Sequence, residues 1–371
     1  MIDWVSDLLF WIVFGAILFF LRRQRIVWTV GALALLLLFN QFFTPGFFHI
    51  QLLDGHFYGS RIDVLNQGAK VMLLSLGMVL VIATGGVDLS VGAVMAISAA
   101  VSSRLLVTEH QPPGLAIAIA LVISVLAGAW NGLLVAGVGI QPIIATLVLM
   151  VAGRGIAQLI TEGQIINFLD PTMVYLGNGH LFALPFTLTL VLVMLVLTLL
   201  LVRRTALGLF IESVGDNDEA SRYSGINARQ VKFFVYTFSG LCAGLAGLVA
   251  CSNIKSADAN NIGLYLELDA ILAVVVGGTS LQGGRFYLVG AVVGALFIQT
   301  LTTTLYARNV SSDVSPVPKA LVIIGVCLFE SELFRARLAQ VFRPLGRILK
   351  PLSSRIPQKS FTAPRHDAPK S

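Results

Sequence analysis

The run LPFTLTLVLVMLVLTLLLV, at residues 184–202, contains no charged residue and is followed at once by Arg203 and Arg204. A helix of about 20 apolar residues is long enough to cross the hydrocarbon core of a bilayer. The strands of a transmembrane barrel alternate in polarity and do not stay apolar over such a length. The run therefore predicts a transmembrane helix that ends at two arginines.

The composition extends this prediction to the whole chain. Of the 371 residues, 56% are hydrophobic and only 12% are charged, whereas a soluble domain carries about 25% charge. These values exclude a soluble globular enzyme, a disordered protein and a disulfide scaffold. Apolar segments lie at 4–21, 26–43, 64–84, 90–106, 114–136, 142–160, 184–202, 231–251, 268–281, 287–305 and 318–329.

These segments predict an all-α fold, a polytopic transmembrane helical bundle with about ten core spans. We expect residues 26–330 to form the transmembrane domain. Residues 1–25 are either an extra N-terminal transmembrane segment or sequence upstream of the true start. Residues 331–371 form a basic cytoplasmic tail.

The distribution of charge predicts the orientation. The net charge of +6 at first suggests nucleic-acid binding, but residues 331–371 hold nine Lys or Arg and two acids, so the other 330 residues sum to −1. Basic loops stay in the cytoplasm, and an even number of segments separates Arg22–Arg25, Arg203–Arg204 and the tail. All three clusters are therefore expected in the cytoplasm. The tail has the spacing of a basic amphipathic helix on membrane lipids, divided into two short pieces near Pro344, or it merely fixes the orientation. No nucleic acid is expected.

No catalytic constellation is present in the sequence. The five histidines lie in loops or in the tail, and neither HExxH nor GxSxG occurs. The stretch GTSLQGGR (278–285) comes near a phosphate loop, but Gly284 stands where that loop needs its lysine. We therefore expect no catalytic residue, no metal site and no cofactor.

Two double glycines interrupt the apolar segments. In ATGGVDLS (83–90) the helix is expected to break and to restart with Asp88 or Ser90 as its N-cap. Paired glycine interruptions and polar residues at membrane depth are typical of a transport pathway, although Asp88 and Asp269 fit helix ends equally well. The candidates for a pathway or a helix break are Gly85, Gly86, Asp88, Ser90, Asn131, Gln141, Asp269, Gly277 and Gly278. For most glycines inside the spans, including the GxxxG pairs 240–244 and 290–294, the competing interpretation is tight helix packing.

Two polar loops are candidates for contact with partners. In the cytoplasmic loop 203–232, the stretch EASRYSG (219–225) favours a short helix that ends at Gly225. This loop is either a docking site for a partner protein or an ordinary solvated loop. In the outer loop, Asp258, Asn260 and Asn261 either contact a binding protein or the entering sugar, or simply form a turn.

The cytoplasmic loop carries a resemblance to a known family. EASRYSG resembles the E-A-A-x-x-x-G loop of bacterial ABC importer permeases, with Ser221 in place of the second alanine. The stretches 77–96 and 267–285 resemble the ribose/xylose/arabinose-type sugar permeases. The stretches 60–69, 127–165 and 256–271 are similar to the permeases of galactofuranose importers. The resemblance runs from residue 62 to residue 329 and leaves out residues 4–21 and the tail.

The resemblance implies a mechanism and a set of partners. Permeases of this kind sit in the bacterial inner membrane, where two subunits form the pathway. Cytoplasmic ABC ATPase subunits power it, and a periplasmic sugar-binding protein delivers a monosaccharide, here galactofuranose. The helix with Glu219, Ala220, Ser221 and Gly225 would couple to the ATPase, so ATP hydrolysis belongs to a separate chain and this chain is not an enzyme.

Three alternatives remain open from the sequence. A permease of the same superfamily for a furanose quorum signal or a branched-chain amino acid fits the same motifs. A secondary transporter would need an ion or proton site, for which only Asp88 and Asp269 are candidates. A membrane-embedded enzyme is disfavoured by the missing motifs.

Overall fold

The computed structural model describes residues 27–330, apart from 45, 50, 54 and 55. The predicted N-terminal segment, the basic tail and the amphipathic helix predicted for that tail lie outside the described residues. Within them the chain is mostly helical. The helices are α1 (Val27–Phe43), α2 (Ser60–Ala83), α3 (Val91–Val107), α4 (Pro113–Gly132), α5 (Pro142–Ile160), α6 (Pro171–Asn178), α7 (Phe186–Arg204), α8 (Leu207–Asp216), α9 (Asp218–Tyr223), α10 (Ala228–Ile254), α11 (Leu266–Val276), α12 (Leu288–Ala307) and α13 (Pro316–Glu330).

Short antiparallel strand pairs join some of these helices. They are β1 (Gln51–Leu53) with β2 (His56–Tyr58), β3 (Ile166–Asn167) with β6 (Ser256–Ala257), and β4 (His180–Leu181) with β5 (Leu184–Pro185). Each sheet has only two strands. The predicted helical bundle is therefore confirmed, with these small pairs as an addition.

The predicted count of about ten core spans is not confirmed. Among the described residues, six helices have the length and composition of a membrane span, namely α2, α4 with its π-helical extension Leu133–Val138, α5, α7, α10 and α12. Helices α1, α3 and α13 are apolar but shorter. At 1.5 Å per residue, α11 extends only about 16 Å, about half of the hydrocarbon thickness. The apolar segment 268–281 counted as a span, but its helix ends at Val276 because Gly277 and Gly278 turn the chain.

Helices α2 and α10 form the centre of the bundle. In an apolar stretch of 18 residues from each helix, 78% of the residues of α2 and 72% of those of α10 are buried, against 28% or less in α4, α5 and α7. The outer helices instead expose large apolar side chains such as Val122, Val151 and Val193. Lipid-facing spans have this distribution, because their apolar surface meets hydrocarbon rather than water.

Glycines set the distance between α10 and its neighbour α4. A Cβ on Gly240 would lie 2.8 Å from Gly128 Cα and would also overlap the Ser124 carbonyl oxygen. One turn further on, a Cβ on Gly244 would lie 2.6 Å from the Ser124 side chain. The predicted role of this GxxxG pair in close helix packing is confirmed, since only a residue without Cβ lets the two backbones approach so closely.

Candidate functional site

Three chain segments meet in a contact made of backbone, which we call the glycine junction and which contains Ala83, Gly85, Gly215, Gly283 and Gly284. Gly284 N donates a hydrogen bond of 2.9 Å to the carbonyl oxygen of Ala83, at the end of α2. A Cβ on Gly215, in α8, would overlap that same carbonyl oxygen and would lie 2.5 Å from Gly284 N. A Cβ on Gly283 would lie 2.7 Å from the Gly215 carbonyl oxygen and 3.0 Å from Gly85 N. Helix α8 is thus fitted directly against the turns that follow α2 and precede α12.

Only the first of the two predicted double glycines takes part in the glycine junction. Gly85 belongs to it and has the left-handed φ of 76° that a glycine turn requires. Gly277 instead packs against Gly290 of α12, where a Cβ on Gly277 would touch backbone. Gly283 and Gly284, with φ of 89° and 86°, are the glycines that meet Gly85 at the junction.

Helix α9, the predicted short helix of the loop 203–232, follows α8 directly. Asn217 caps it, because its Oδ1 accepts a hydrogen bond of 2.9 Å from Ala220 N. Ser221 is buried, whereas Glu219 and Ala220 are exposed. Tyr223 is 92% exposed, and Gly225 has a φ of 85° with nothing within 4 Å of a Cβ built on it. Helix α9 therefore presents an open surface on one side and is linked through α8 to the glycine junction on the other.

A buried polar cluster lies between α3, α4 and α10. Asp88 Oδ1 accepts hydrogen bonds from Ser90 N (3.0 Å) and Ser90 Oγ (2.6 Å), and its Oδ2 accepts one from Ser239 Oγ (2.8 Å). Asn131 Nδ2 donates to Ser90 Oγ over 2.8 Å. All four residues are at most 1% exposed. The predicted residues Asp88, Ser90 and Asn131 are therefore brought together, and in this conformation they face the interior of the bundle.

Gly86 leaves space for a tyrosine beside this cluster. A Cβ on Gly86 would overlap the hydroxyl oxygen of Tyr236, a fully buried residue of α10. Ser90 occupies the N-cap position of α3 without a side-chain bond to the helix, and the carboxylate of Asp88 accepts the Ser90 N–H instead. The predicted helix restart is therefore present, with Asp88 as the acceptor at its start.

The N-termini of the short helices α3 and α11 lie against each other. A Cβ on Gly92, in the first turn of α3, would overlap the carbonyl oxygen of Gly263 and the Glu267 side chain, which is 6% exposed. Both helices follow irregular segments, 84–90 and 258–265. Interrupted helices whose N-termini meet inside the bundle are typical of transporter binding sites.

Asp269 forms an ion pair instead of standing alone. Lys319 Nζ of α13 lies 2.9 Å from Asp269 Oδ2, and the two side chains are 14% and 15% exposed. The pair connects α11 to α13 at a position where an unpaired carboxylate would be costly. The structure therefore gives Asp269 a partner that accounts for its charge.

Removal of Lys319 is expected to destabilise the protein. In Lys319→Ala the mostly buried Asp269 carboxylate loses its cation, and breaking a buried pair in this way costs about 3 kcal/mol of unfolding free energy. Thermal unfolding of the purified protein measures this loss. The double variant Asp269→Asn with Lys319→Met is the control, and it should recover most of the stability. Equal midpoints for wild type and Lys319→Ala would show that the pair is not structural.

The outer loop is held by side chains of α5. The Arg154 guanidinium donates to the carbonyl oxygens of Ala259 and Ile262, and Gln158 Nε2 donates to Asn260 Oδ1 over 2.6 Å. Asp258 stabilises the turn from inside, since its carboxylate accepts from Asn260 N and from Asn261 Nδ2. Asn260 and Asn261 are exposed and Asp258 is half-buried. The turn interpretation thus describes Asp258, and both asparagine side chains also contribute to the turn although they are exposed.

Gln141 lies apart from the other predicted pathway residues. It is exposed and precedes α5, where it lines a cavity with Arg222 and Arg229. The sequence reasoning did not single out Gly215, Ser239, Tyr236 or Lys319. Of these, only Lys319 is recognisable from the sequence. It is a basic residue inside the apolar segment 318–329, and Asp269 is an acidic residue inside the segment 268–281.

Comparisons with known proteins agree with a transport role. The family described as branched-chain amino acid transport system / permease component matches residues 60–329. The galactofuranose transporter permease protein YtfT of Escherichia coli K12 is 48% identical over 84% of this chain and 93% of its own length. The fructose import permease protein FruF of Bifidobacterium longum is 37% identical over 84% and 89%. The ribose import permease protein RbsC of Escherichia coli K12 is 34% identical over 81% and 92%.

No solved structure matches the chain. The family match covers the described bundle from the first residue of α2 almost to the end of α13. Together with relatives that align over nearly their whole length, it shows that this chain belongs to the permease-component family of branched-chain amino acid-type transport systems and is a multi-pass membrane transport subunit.

Proposed function

We propose that the chain is the transmembrane permease subunit of an ATP-driven importer for a monosaccharide, with galactofuranose as the first candidate. The observation that carries this proposal is the 48% identity to a galactofuranose permease over 93% of its length. The fructose and ribose permeases align over similar lengths at lower identity. The location in this proposal is the bacterial inner membrane, with α8 and α9 in the cytoplasm, following the position of Arg203 and Arg204.

The proposal needs partners that supply energy and substrate. Cytoplasmic ABC ATPase subunits hydrolyse ATP, a periplasmic binding protein delivers the sugar, and a second permease subunit completes the pathway. Helix α9 is the docking element for the ATPase in this account. It is supported by its exposed surface around Tyr223 and by its link through α8 to the glycine junction. A shift of α9 would then be transmitted to α2 and α12.

Substitution of Gly225 tests the docking of α9. Gly225→Trp is expected to reduce sugar uptake to background while the protein still inserts, because a large side chain on the exposed end of α9 blocks the partner. Gly225→Asn is the control, since asparagine also tolerates the positive φ of this position. We expect near-normal uptake for Gly225→Asn in cells that contain equal amounts of each variant. Normal uptake by Gly225→Trp would exclude this surface from docking.

The outer loop is proposed as the contact for the binding protein or the entering sugar. Alanine at both Asn260 and Asn261 is expected to raise the KM for the loaded binding protein about tenfold, as loss of exposed hydrogen bonds weakens docking. Asp258→Ala is the comparison. It should lower thermal stability more, because Asp258 Oδ1 accepts the backbone N–H groups of residues 260 and 261, and the asparagine double variant keeps these bonds. Unchanged transport kinetics in the asparagine double variant would leave the turn as the sole role of this loop.

A branched-chain amino acid is the second candidate substrate, because the matching family carries that description. The two candidates are distinguished by measuring the uptake of each labelled substrate by cells that lack the gene for this chain, with and without a plasmid copy of that gene. Plasmid-dependent accumulation of labelled galactofuranose, but not of ribose, fructose or leucine, is expected. Plasmid-dependent uptake of leucine alone would overturn the sugar assignment.

A further inference from the structure

A polar cavity of about 320 Å³ lies between the end of α4, the start of α5, helix α9 and the start of α10. Its floor is the connection 135–142, which contains the π-helical turn and the exposed residues Gly139 and Gln141. Its other wall comes from helix α9 and from the first turns of α10. The charged residues that line it are Asp218, Arg222, Arg229 and Lys232.

The cavity carries an excess of positive charge. Lys232 Nζ is paired with Asp218 Oδ2 at 2.8 Å, so these two charges cancel. Arg222 and Arg229 are exposed, and neither forms an ion pair with another residue that the structure describes. Two guanidinium groups therefore share one cavity without a counter-ion. Guanidinium groups bind phosphate in a bidentate manner and are well suited to it.

The position of the cavity indicates which kind of anion would bind there. It lies at the connection between α4 and α5, two of the outer helices that expose apolar side chains. The lining also includes the apolar residues Val135, Val138, Ile140 and Pro142. A ligand that fits this lining has an anionic head and an apolar body. The cytoplasmic leaflet is rich in such molecules, and basic pockets at helix ends on that side bind their headgroups.

We propose that this cavity is a binding site for the headgroup of an anionic phospholipid, held through its phosphate by Arg222 and Arg229. The proposal rests on the cytoplasmic orientation given above and is independent of the sugar. Because Arg222 lies on α9 and the floor lies between α4 and α5, the bound headgroup joins the docking helix to the lipid-facing side of the bundle. The lipid therefore helps to hold α9 in position.

Lipid binding by the purified full-length chain tests the proposal. Native mass spectrometry measures the affinities for phosphatidylglycerol and phosphatidylcholine in detergent. We expect a preference for phosphatidylglycerol that falls about 30-fold in the double variant R222Q/R229Q, since each cation near the membrane surface contributes a factor of about five. The charge-conserving variant R222K/R229K should keep most of the preference.

The matched control is K255Q/R308Q, which removes two exposed cations from the outer loops, on the side of the membrane opposite the cavity. It should retain the preference. An equal loss in K255Q/R308Q, or no loss in R222Q/R229Q, would overturn the site. If inorganic phosphate binds the chain with the same affinity as phosphatidylglycerol, the cavity is a site for free phosphate. Unchanged lipid binding in R222Q/R229Q with loss of ATPase co-purification would assign the arginines to the partner protein.

Discussion

Gly215→Ala is expected to abolish sugar uptake, although alanine is about 1 kcal/mol better than glycine inside a helix. The reason is the glycine junction. A Cβ at position 215 overlaps the Ala83 carbonyl oxygen and lies 2.5 Å from Gly284 N, and backbone atoms on both sides cannot turn away as a flexible side chain would. Overpacking of this kind costs about 3 kcal/mol. Helix α8 must therefore move away from the turns after α2 and before α12.

The measurement for Gly215→Ala is initial uptake rate at matched amounts of membrane-inserted protein. Its control is Gly31→Ala in α1, where nothing lies within 4 Å of the added Cβ. The control should retain the wild-type rate, because it makes the same chemical change in open space. If Gly215→Ala also retains that rate, α8 does not transmit movement through this contact.

Gly240→Ala is expected to remove most of the folded protein from the membrane. The added Cβ lies 2.8 Å from Gly128 Cα and overlaps the Ser124 carbonyl oxygen, so α4 and α10 must separate. Separation also disturbs the cluster around Asp88, which receives a hydrogen bond from Ser239 of the same helix. A loss of about 3 kcal/mol is a large fraction of the stability of a domain.

The folded fraction of Gly240→Ala is measured by size-exclusion chromatography after detergent extraction. Gly155→Ala, on the outer helix α5, makes the same change with nothing within 4 Å and is expected to behave as wild type. A wild-type elution profile for Gly240→Ala would contradict the close approach of α4 and α10. A double variant with Ser124→Gly should not recover, because the closest contacts are backbone atoms.

The helices could largely be predicted from the sequence, because apolar runs of about 20 residues have few other structures available in a bilayer. The run 142–160 coincides with α5, and the run 184–202 differs from α7 by two residues at each end. The prediction of a membrane span failed where a segment has the apolar composition of a span but not its length. The segment 268–281 is largely apolar, but its helix stops at Val276, since two glycines follow.

The site was predictable only where its residues share one motif. Asp88 and Ser90 are two positions apart, and their contact follows from a local turn. Ser239 is 151 positions from Asp88, and no local rule connects them. The same holds for Gly215, which has neither charge nor an unusual neighbour, and whose role depends on two distant turns. Contacts between backbones leave little trace in a single sequence.

We expect ATP hydrolysis by a partner chain to drive the sugar through this permease. The direct test is uptake of labelled galactofuranose by proteoliposomes that contain the chain and its ATPase, with ATP enclosed and the loaded binding protein outside. We expect accumulation that requires both ATP and the binding protein and that is lost in Gly215→Ala. Accumulation without ATP, driven by an imposed proton or sodium gradient, would contradict this expectation and would identify a secondary transporter.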